Sequence, residues 1–181
     1  IYFSRPDSIV GGLSVYQCRK AFGKELAKES FVQADMVIPV PDSGVPAAIG
    51  YAEKSEIPFE TGIIRNHYVG RTFIEPQQSI RAFSVKLKHN ANNILVDGKK
   101  VILVDDSLVR GTTSIKIVRM MRDAGAKEVH MRIAAPPIKY PDYYGIDTPV
   151  KENLLAANHS LNEIKDFLDV DSIAYLSIDG L

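Results

Sequence analysis

The sequence predicts an α/β fold in which helices cover both faces of a parallel sheet. Five apolar runs have the length of strands, and helical patterns separate most of them. Residues 101–104 are all apolar without alternation, which is typical of a strand buried on both faces of a parallel sheet. Such an order of strands and helices places the sheet between two helical layers. At 181 residues the chain has the size of one domain.

Each element follows from a local pattern. The helix after residue 111 shows apolar residues at i, i+3, i+4 and i+7 and ends at Gly125, because glycine terminates helices. Met120 and Met121 lie on its apolar face, which indicates core packing. Further helices are predicted at 15–28, 45–54 and 161–168. Strands are predicted at 36–40, near Ile63, and at 101–104, 129–134 and 173–176.

Charge and cysteine content exclude several kinds of partner. The 22 basic and 22 acidic residues cancel, so no global field attracts nucleic acid or an anionic membrane. No apolar run is long enough to span a bilayer, and the chain begins without a methionine or signal peptide, as a fragment would. Cys18 is the only cysteine, which excludes an internal disulfide and fits the reducing cytoplasm. We expect Cys18 to be a packing residue rather than a nucleophile.

Residues 101–114 are the most informative stretch. The apolar strand leads to two adjacent carboxylates, Asp105 and Asp106, at the strand end where ligands of α/β sheets bind. We expect both to be exposed. A loop of small residues then opens a helix, whose N–H groups and dipole favour a phosphate dianion. The helix start consists of Gly111, Thr112, Thr113 and Ser114. The carboxylates suit sugar hydroxyls or a metal ion, so the pattern predicts a site for a phosphorylated ribose.

This stretch resembles the signature of the type I phosphoribosyltransferases, which bind 5-phosphoribosyl-1-pyrophosphate (PRPP). The resemblance implies their fold, a parallel sheet flanked by helices with a flexible loop and a small hood. It implies that Asp105 and Asp106 are catalytic, holding the ribose 2- and 3-hydroxyls directly or through Mg²⁺ and stabilising positive charge on the ring. It also implies that residues 107–114, including Ser107, bind the 5-phosphate. Arg110 could add charge near a phosphate or merely face solvent or pair locally, and we assign it no catalytic role.

Other blocks resemble the amidophosphoribosyltransferases, the glutamine-PRPP amidotransferases. These blocks are residues 5–8, 37–44, 66–74, 135–137, 144–148 and 171–181, so the resemblance covers essentially the whole chain, 1–181, as one phosphoribosyltransferase domain. It implies transfer of ammonia to C1 of PRPP, which gives 5-phosphoribosylamine and pyrophosphate in the first step of de novo purine biosynthesis.

The resemblance assigns the remaining site residues. The loop 41–44 matches the pyrophosphate loop, in which Ser43 and Gly44 meet the leaving group at a helix N-terminus. Ser43 would join the two carboxylates around Mg²⁺, and it also suits the helix N-cap. Segment 65–88 matches the flexible loop that closes over PRPP, from which Arg65, Tyr68 and Arg71 would bind substrate. A solvated surface loop is the alternative for this basic segment.

The resemblance also concerns partners and cofactors. The family's complete enzymes have an N-terminal glutaminase domain, homo-oligomeric assembly and purine nucleotide inhibitors. Nothing in this sequence resembles the glutaminase domain, so we expect the chain alone to use ammonia and not glutamine. Asp142 stands where some members have a cysteine ligand, which argues against an iron–sulfur cluster.

The sequence is also compatible with two other functions. A base-salvage phosphoribosyltransferase needs an aromatic platform for its base, which Tyr140, Tyr143 and Tyr144 could supply. A PRPP-sensing regulatory module binds the same ligand without turnover, but it should carry a basic DNA-binding segment. The sequence has no such segment.

Overall fold

The computed structural model describes residues 4–65, 89–142 and 150–181. Its first half contains β1 (Ile9–Val10), β2 (Leu13–Ser14), α1 (Val15–Glu29), β3 (Met36–Pro39), α2 (Val45–Ser55) and β4 (Ile63–Arg65). The following elements are β5 (His89–Ala91), α3 (Asn93–Val96), β6 (Lys100–Asp105), α4 (Thr112–Asp123) and β7 (Glu128–Ile133). A 3₁₀ turn at Lys151–Asn153 then leads to α5 (Leu155–Asn158), α6 (Leu161–Leu168) and β8 (Ser172–Tyr175).

The centre of the fold is a parallel four-stranded sheet in the order β3-β6-β7-β8. Its register aligns Ile38 with Leu103 and Leu103 with Met131. Phe59 forms an isolated parallel bridge to Val37 on the far side of β3. The predicted α/β class with a parallel sheet is confirmed.

Helices cover both faces of this sheet. On one face, α1 and α2 pack over Ile102 and Val104. On the other, α4 and α6 pack over Val101 and Leu103. Both sides of β6 are therefore buried, which explains the apolar run without alternation.

Most predicted elements are confirmed, and the helix predicted at 161–168 coincides with α6. The strand near Ile63 exists as β4, but it pairs antiparallel with β5 outside the main sheet. The predictions missed β1, β2, β5, α3 and α5, because elements of two to four residues show no periodicity. Met121 is fully buried and Cys18 packs against a core, as predicted. Among the described helices, none is long and apolar enough to cross a bilayer.

Candidate active site

A crevice opens at the carboxyl ends of β3 and β6. The helix after β3 packs on one face of the sheet and the helix after β6 packs on the other, so the loops that follow these neighbouring strands diverge. Ligands of open α/β sheets bind at such a point. The cavity there has a volume of about 540 Å³. Its walls are Val40, Pro41, Ser43 and residues 105–114.

The two carboxylates at this crevice have different surroundings. Asp105 is only 8% exposed, which corrects the expectation that both are exposed: it is the last residue of β6 and remains inside the sheet. The N–H of Asp106 donates to Asp105 Oδ1 at 2.9 Å. Burial, and next the charge of Asp106, raise the pKa of Asp105 well above its usual value. Asp106 is half-buried, and its Oδ1 accepts from the Ser107 hydroxyl at 3.2 Å.

The predicted pyrophosphate loop, residues 41–44, crosses the end of β6 at very short range. A Cβ on Gly44 would lie 2.4 Å from the Val104 carbonyl oxygen, so only glycine fits. The Pro41–Asp42 peptide bond is cis. Gly44, and not Ser43, is the N-cap residue of α2. The N-cap interpretation of Ser43 is therefore wrong, and its half-buried hydroxyl lines the crevice instead.

The predicted phosphate loop, residues 107–114, leads into α4. Gly111 is the N-cap of this helix with φ at +74°, and no side chain caps its first turn. That turn has no acidic residue either, so the helix N-terminus keeps its attraction for anions. Thr112 and Thr113 are exposed, while Ser114 is buried beneath them.

Basic residues stand at both sides of the crevice. Arg110 is exposed in the cavity wall. Arg65, at the end of β4, donates to and forms an ion pair with Asp42 of the pyrophosphate loop. No local sequence pattern indicates this pair, because 22 residues lie between its members in the chain. Arg65 is thus held beside the crevice.

Several predicted residues lie outside the described residues. They are Tyr68, Arg71, Tyr143, Tyr144 and the rest of the segments 66–74 and 144–148. Of the aromatic platform suggested for a base, the structure describes Tyr140. It is 77% exposed, with the Lys151 Nζ atom 5.9 Å from its ring centre.

Comparison with known proteins agrees with this geometry. The profile of the phosphoribosyl transferase domain matches residues 14–151. The whole chain is 63% identical to an amidophosphoribosyltransferase of Rhizobium etli, of which it covers 37%. It is 54% identical to that of Bacillus subtilis, of which it covers 38%.

A solved structure shares the fold as well. The glutamine PRPP amidotransferase from B. subtilis, complexed with ADP and GMP, superposes with a TM-score of 0.90 at 54% identity, over 99% of this chain and 39% of that one. The chain therefore spans well under half the length of the relatives it matches. It belongs to the phosphoribosyltransferase domain family and resembles, over its full length, the phosphoribosyltransferase part of amidophosphoribosyltransferases.

Proposed function

We propose that this protein is the synthase part of an amidophosphoribosyltransferase, which transfers ammonia to C1 of PRPP. The observation that carries the proposal is the crevice between β3 and β6, where a carboxylate pair, a glycine-dependent loop and an uncapped helix N-terminus line one cavity. PRPP has a ribose, a pyrophosphate and a 5-phosphate. Each of these groups has a matching part in the crevice.

We assign the groups of PRPP to these parts by chemistry. The helix N-terminus at residues 111–114, with the hydroxyls of Thr112 and Thr113, suits the 5-phosphate. The pyrophosphate loop with Ser43 suits the leaving group, and Arg65 and Arg110 add positive charge. Between them, Asp105 and Asp106 suit the ribose hydroxyls, because carboxylates accept hydrogen bonds from them.

In the proposed reaction, ammonia attacks C1 on the face opposite the pyrophosphate. The C1–O bond breaks with its electron pair leaving on pyrophosphate, a C1–N bond forms, and the nitrogen then loses a proton to give 5-phosphoribosylamine. Positive charge builds on the ribose ring in the transition state. We infer that the half-buried Asp106 and the buried Asp105 stabilise that charge, because charges interact more strongly in a medium of low dielectric constant.

The site also suits Mg²⁺. Within the described ranges, no three His, Cys, Asp or Glu side chains form a metal-binding group. Mg²⁺ needs no such group, because it binds through one or two carboxylates with substrate phosphates and water. Asp106, Asp105 and the Ser43 hydroxyl share the crevice and are oxygen donors of this kind. When bound there, Mg²⁺ would neutralise charge on the leaving pyrophosphate.

The proposal also covers the ammonia source, assembly, inhibition and location of the complete protein. We propose that a glutaminase domain supplies ammonia in the complete protein, because the relatives are more than twice as long as this chain. Homo-oligomeric assembly and inhibition by purine nucleotides are proposed from the resemblance, and the B. subtilis structure was solved with ADP and GMP.

A cytoplasmic location is proposed from the single cysteine. Relatives of 54–63% identity do not favour the salvage or regulatory functions.

The test is pyrophosphate release from PRPP by the purified chain. We expect release with concentrated ammonia at alkaline pH, where more of it is unprotonated, and none with glutamine. Free purine and pyrimidine bases should give no release. Release with a base but not with ammonia would support salvage instead, and tight PRPP binding without turnover would support a regulatory module.

A further inference from the structure

Side chains of α5 and α6, the two helices before β8, pack against the phosphate loop at Gly111. A Cβ placed on Gly111 would lie 3.0 Å from both Leu155 Cδ2 and Phe167 Cε1, and 3.6 Å from Leu168 Cδ2. Gly111 is thus in close contact with an apolar surface that α5 and α6 provide. The surface lies against the residue that begins α4.

A backbone hydrogen bond also connects the phosphate loop to α5. The N–H of Leu155 donates to the Val109 carbonyl at 2.9 Å, two residues before Gly111. Leu155 is 7% exposed and Leu108 is 2% exposed, so this hydrogen bond lies among buried side chains. The loop is therefore tied to α5 through its backbone and supported at Gly111 through side chains.

The phosphate loop lacks a side-chain cap of its own. Gly111 adopts a left-handed φ of +74°, and no side chain caps the first turn of α4. Glycine is also the residue with the greatest conformational freedom when it is not held. The Ile115 N–H donates to the Gly111 carbonyl at 2.9 Å within the helix. The atoms nearest to a Cβ at Gly111 belong to side chains of α5 and α6, so these side chains support the start of α4 from outside the loop.

We propose that Leu155 and Phe167 are positioning residues for the 5-phosphate, an inference that rests on the proposed function. They hold Val109 and Gly111 so that the amides at the start of α4 already face the phosphate before it binds. Such preorganisation raises affinity, since the loop loses no freedom on binding. Both residues lie outside the 14–151 segment matched by the domain profile, so this support is a feature of the region that follows it.

The experiment compares Phe167→Ala with two other variants. Phe167 is 46% exposed, so its truncation should leave the protein folded. Phe167→Leu restores apolar bulk under Gly111, and Leu161→Ala removes an exposed side chain of the same helix, 49% exposed, as the matched control. Each variant is tested for PRPP affinity by titration calorimetry, for KM and kcat with ammonia, and for amide hydrogen exchange of residues 107–114 without ligand.

We expect Phe167→Ala to bind PRPP roughly 2- to 10-fold more weakly, because the loop would then lose conformational freedom on binding. Its kcat at saturating PRPP should stay within about twofold, because no group at C1 is lost. Exchange in residues 107–114 should become faster. Phe167→Leu should recover most of the affinity, and Leu161→Ala should match the unmodified protein.

Other results would overturn the proposal. Equal PRPP affinity in Phe167→Ala and the unmodified protein would contradict it while leaving the proposed function intact. An equal loss of PRPP affinity in Leu161→Ala and Phe167→Ala would also contradict the proposal and leave the proposed function intact. The loss would then come from any truncation on α6 and not from the contact with Gly111. An unmodified, folded protein that binds no PRPP would instead contradict the proposed function, and with it this inference.

Discussion

Asp105 and Asp106 are neighbours in the chain and both line the crevice, yet only Asp105 belongs to the sheet. Asp105 pairs with Ile133 in the β6–β7 register and is buried. Asp106 is one residue beyond the strand and half-buried. The sequence predicted which two carboxylates form the pair, because they follow an apolar strand. It could not predict their difference in burial, which depends on where the neighbouring strand ends.

We predict that Asp105→Asn reduces turnover without reducing stability. Loss of an oriented charge beside a developing cation should lower transition-state stabilisation by on the order of 2–4 kcal/mol. Stability should be kept or slightly raised, because burial already disfavours the charged form of Asp105 and raises its pKa. Ammonia-dependent pyrophosphate release and thermal unfolding measure the two effects. Asp106→Asn, at a more exposed carboxylate, should also reduce turnover, and full turnover in both variants would contradict their assignment.

We predict a second, smaller effect at the Arg65–Asp42 pair. Its side chains are 44% and 60% exposed, so the pair contributes about 0–1 kcal/mol to stability. In the proposed site, Asp42 would compete with phosphate oxygens for Arg65 and would repel the pyrophosphate. Asp42→Asn should therefore lower KM for PRPP by about two- to fivefold, which corresponds to less than about 1 kcal/mol. Arg65→Gln should raise it, while Lys54→Gln, an exposed residue of α2, should leave KM unchanged. A higher KM in Asp42→Asn would contradict the competition.

At the scale of elements, the contact between α1 and α2 depends on two glycines. A Cβ on Gly23 would lie 1.9 Å from the Ala47 carbonyl oxygen, and one on Gly50 would lie 1.9 Å from that of Lys20. Each glycine therefore lets the backbone of the other helix approach. The sequence predicted both helices, at 15–28 and 45–54. It could not predict this approach, because a glycine within a helix reads only as a weak helix former.

We predict that Gly23→Ala destabilises the protein although alanine is the better helix former. The added methyl group has no space against a backbone atom, and overpacking of this kind lowers the free energy of unfolding by about 1–3 kcal/mol. Urea unfolding monitored by circular dichroism measures the change. Gln17→Ala, at an exposed position of α1, is the control and should change stability by less than about 0.5 kcal/mol. An equally stable Gly23→Ala would mean that α1 shifts at little cost.

The helix α6 shows why some elements can be predicted to the residue. Ser160 and Glu163 form a capping box: the Ser160 N–H donates to Glu163 Oε2 at 2.7 Å, and the Ser160 Oγ accepts from the Glu163 N–H at 3.4 Å. This start signal lies in four consecutive residues. By contrast, β5 exists only through its pairing with β4, and such a non-local pairing leaves no local pattern.

At the scale of the whole molecule, a buried polar network joins elements that are distant in the chain. Arg132 Nε donates to the Ser30 carbonyl at 2.8 Å, and its Nη1 donates to the Ser172 hydroxyl at 3.0 Å. The Tyr51 hydroxyl donates to the same Ser30 carbonyl at 3.0 Å. The end of α1, α2, β7 and β8 are thereby connected. The sequence predicted β7 as a strand, but not that two of its basic residues, His130 and Arg132, are buried.

His130 makes this network sensitive to pH. Its Nδ1 lies 2.9 Å from the Ser172 hydroxyl, and its Nε2 lies 3.2 Å from Glu128 Oε2. Burial, and next the charge of Arg132, lower the pKa of His130 below its ordinary value of 6.5. Glu128 and Asp171 act in the opposite direction but do not outweigh them. The folded protein thus holds His130 neutral at a pH where the unfolded chain begins to protonate it.

We predict that the protein loses stability as the pH falls from 6.5 towards the lowered pKa of His130. In this window the unfolded chain binds more protons than the folded one, so protonation favours unfolding, and above pH 6.5 the effect is absent. Urea midpoints measured between pH 5.5 and 8 should fall on the acid side for the unmodified protein. The decline should be smaller in His130→Gln, which has no imidazole to protonate. His159→Gln, at an exposed histidine, should behave like the unmodified protein, and an equal acid-side decline in His130→Gln would show that other groups govern this pH dependence.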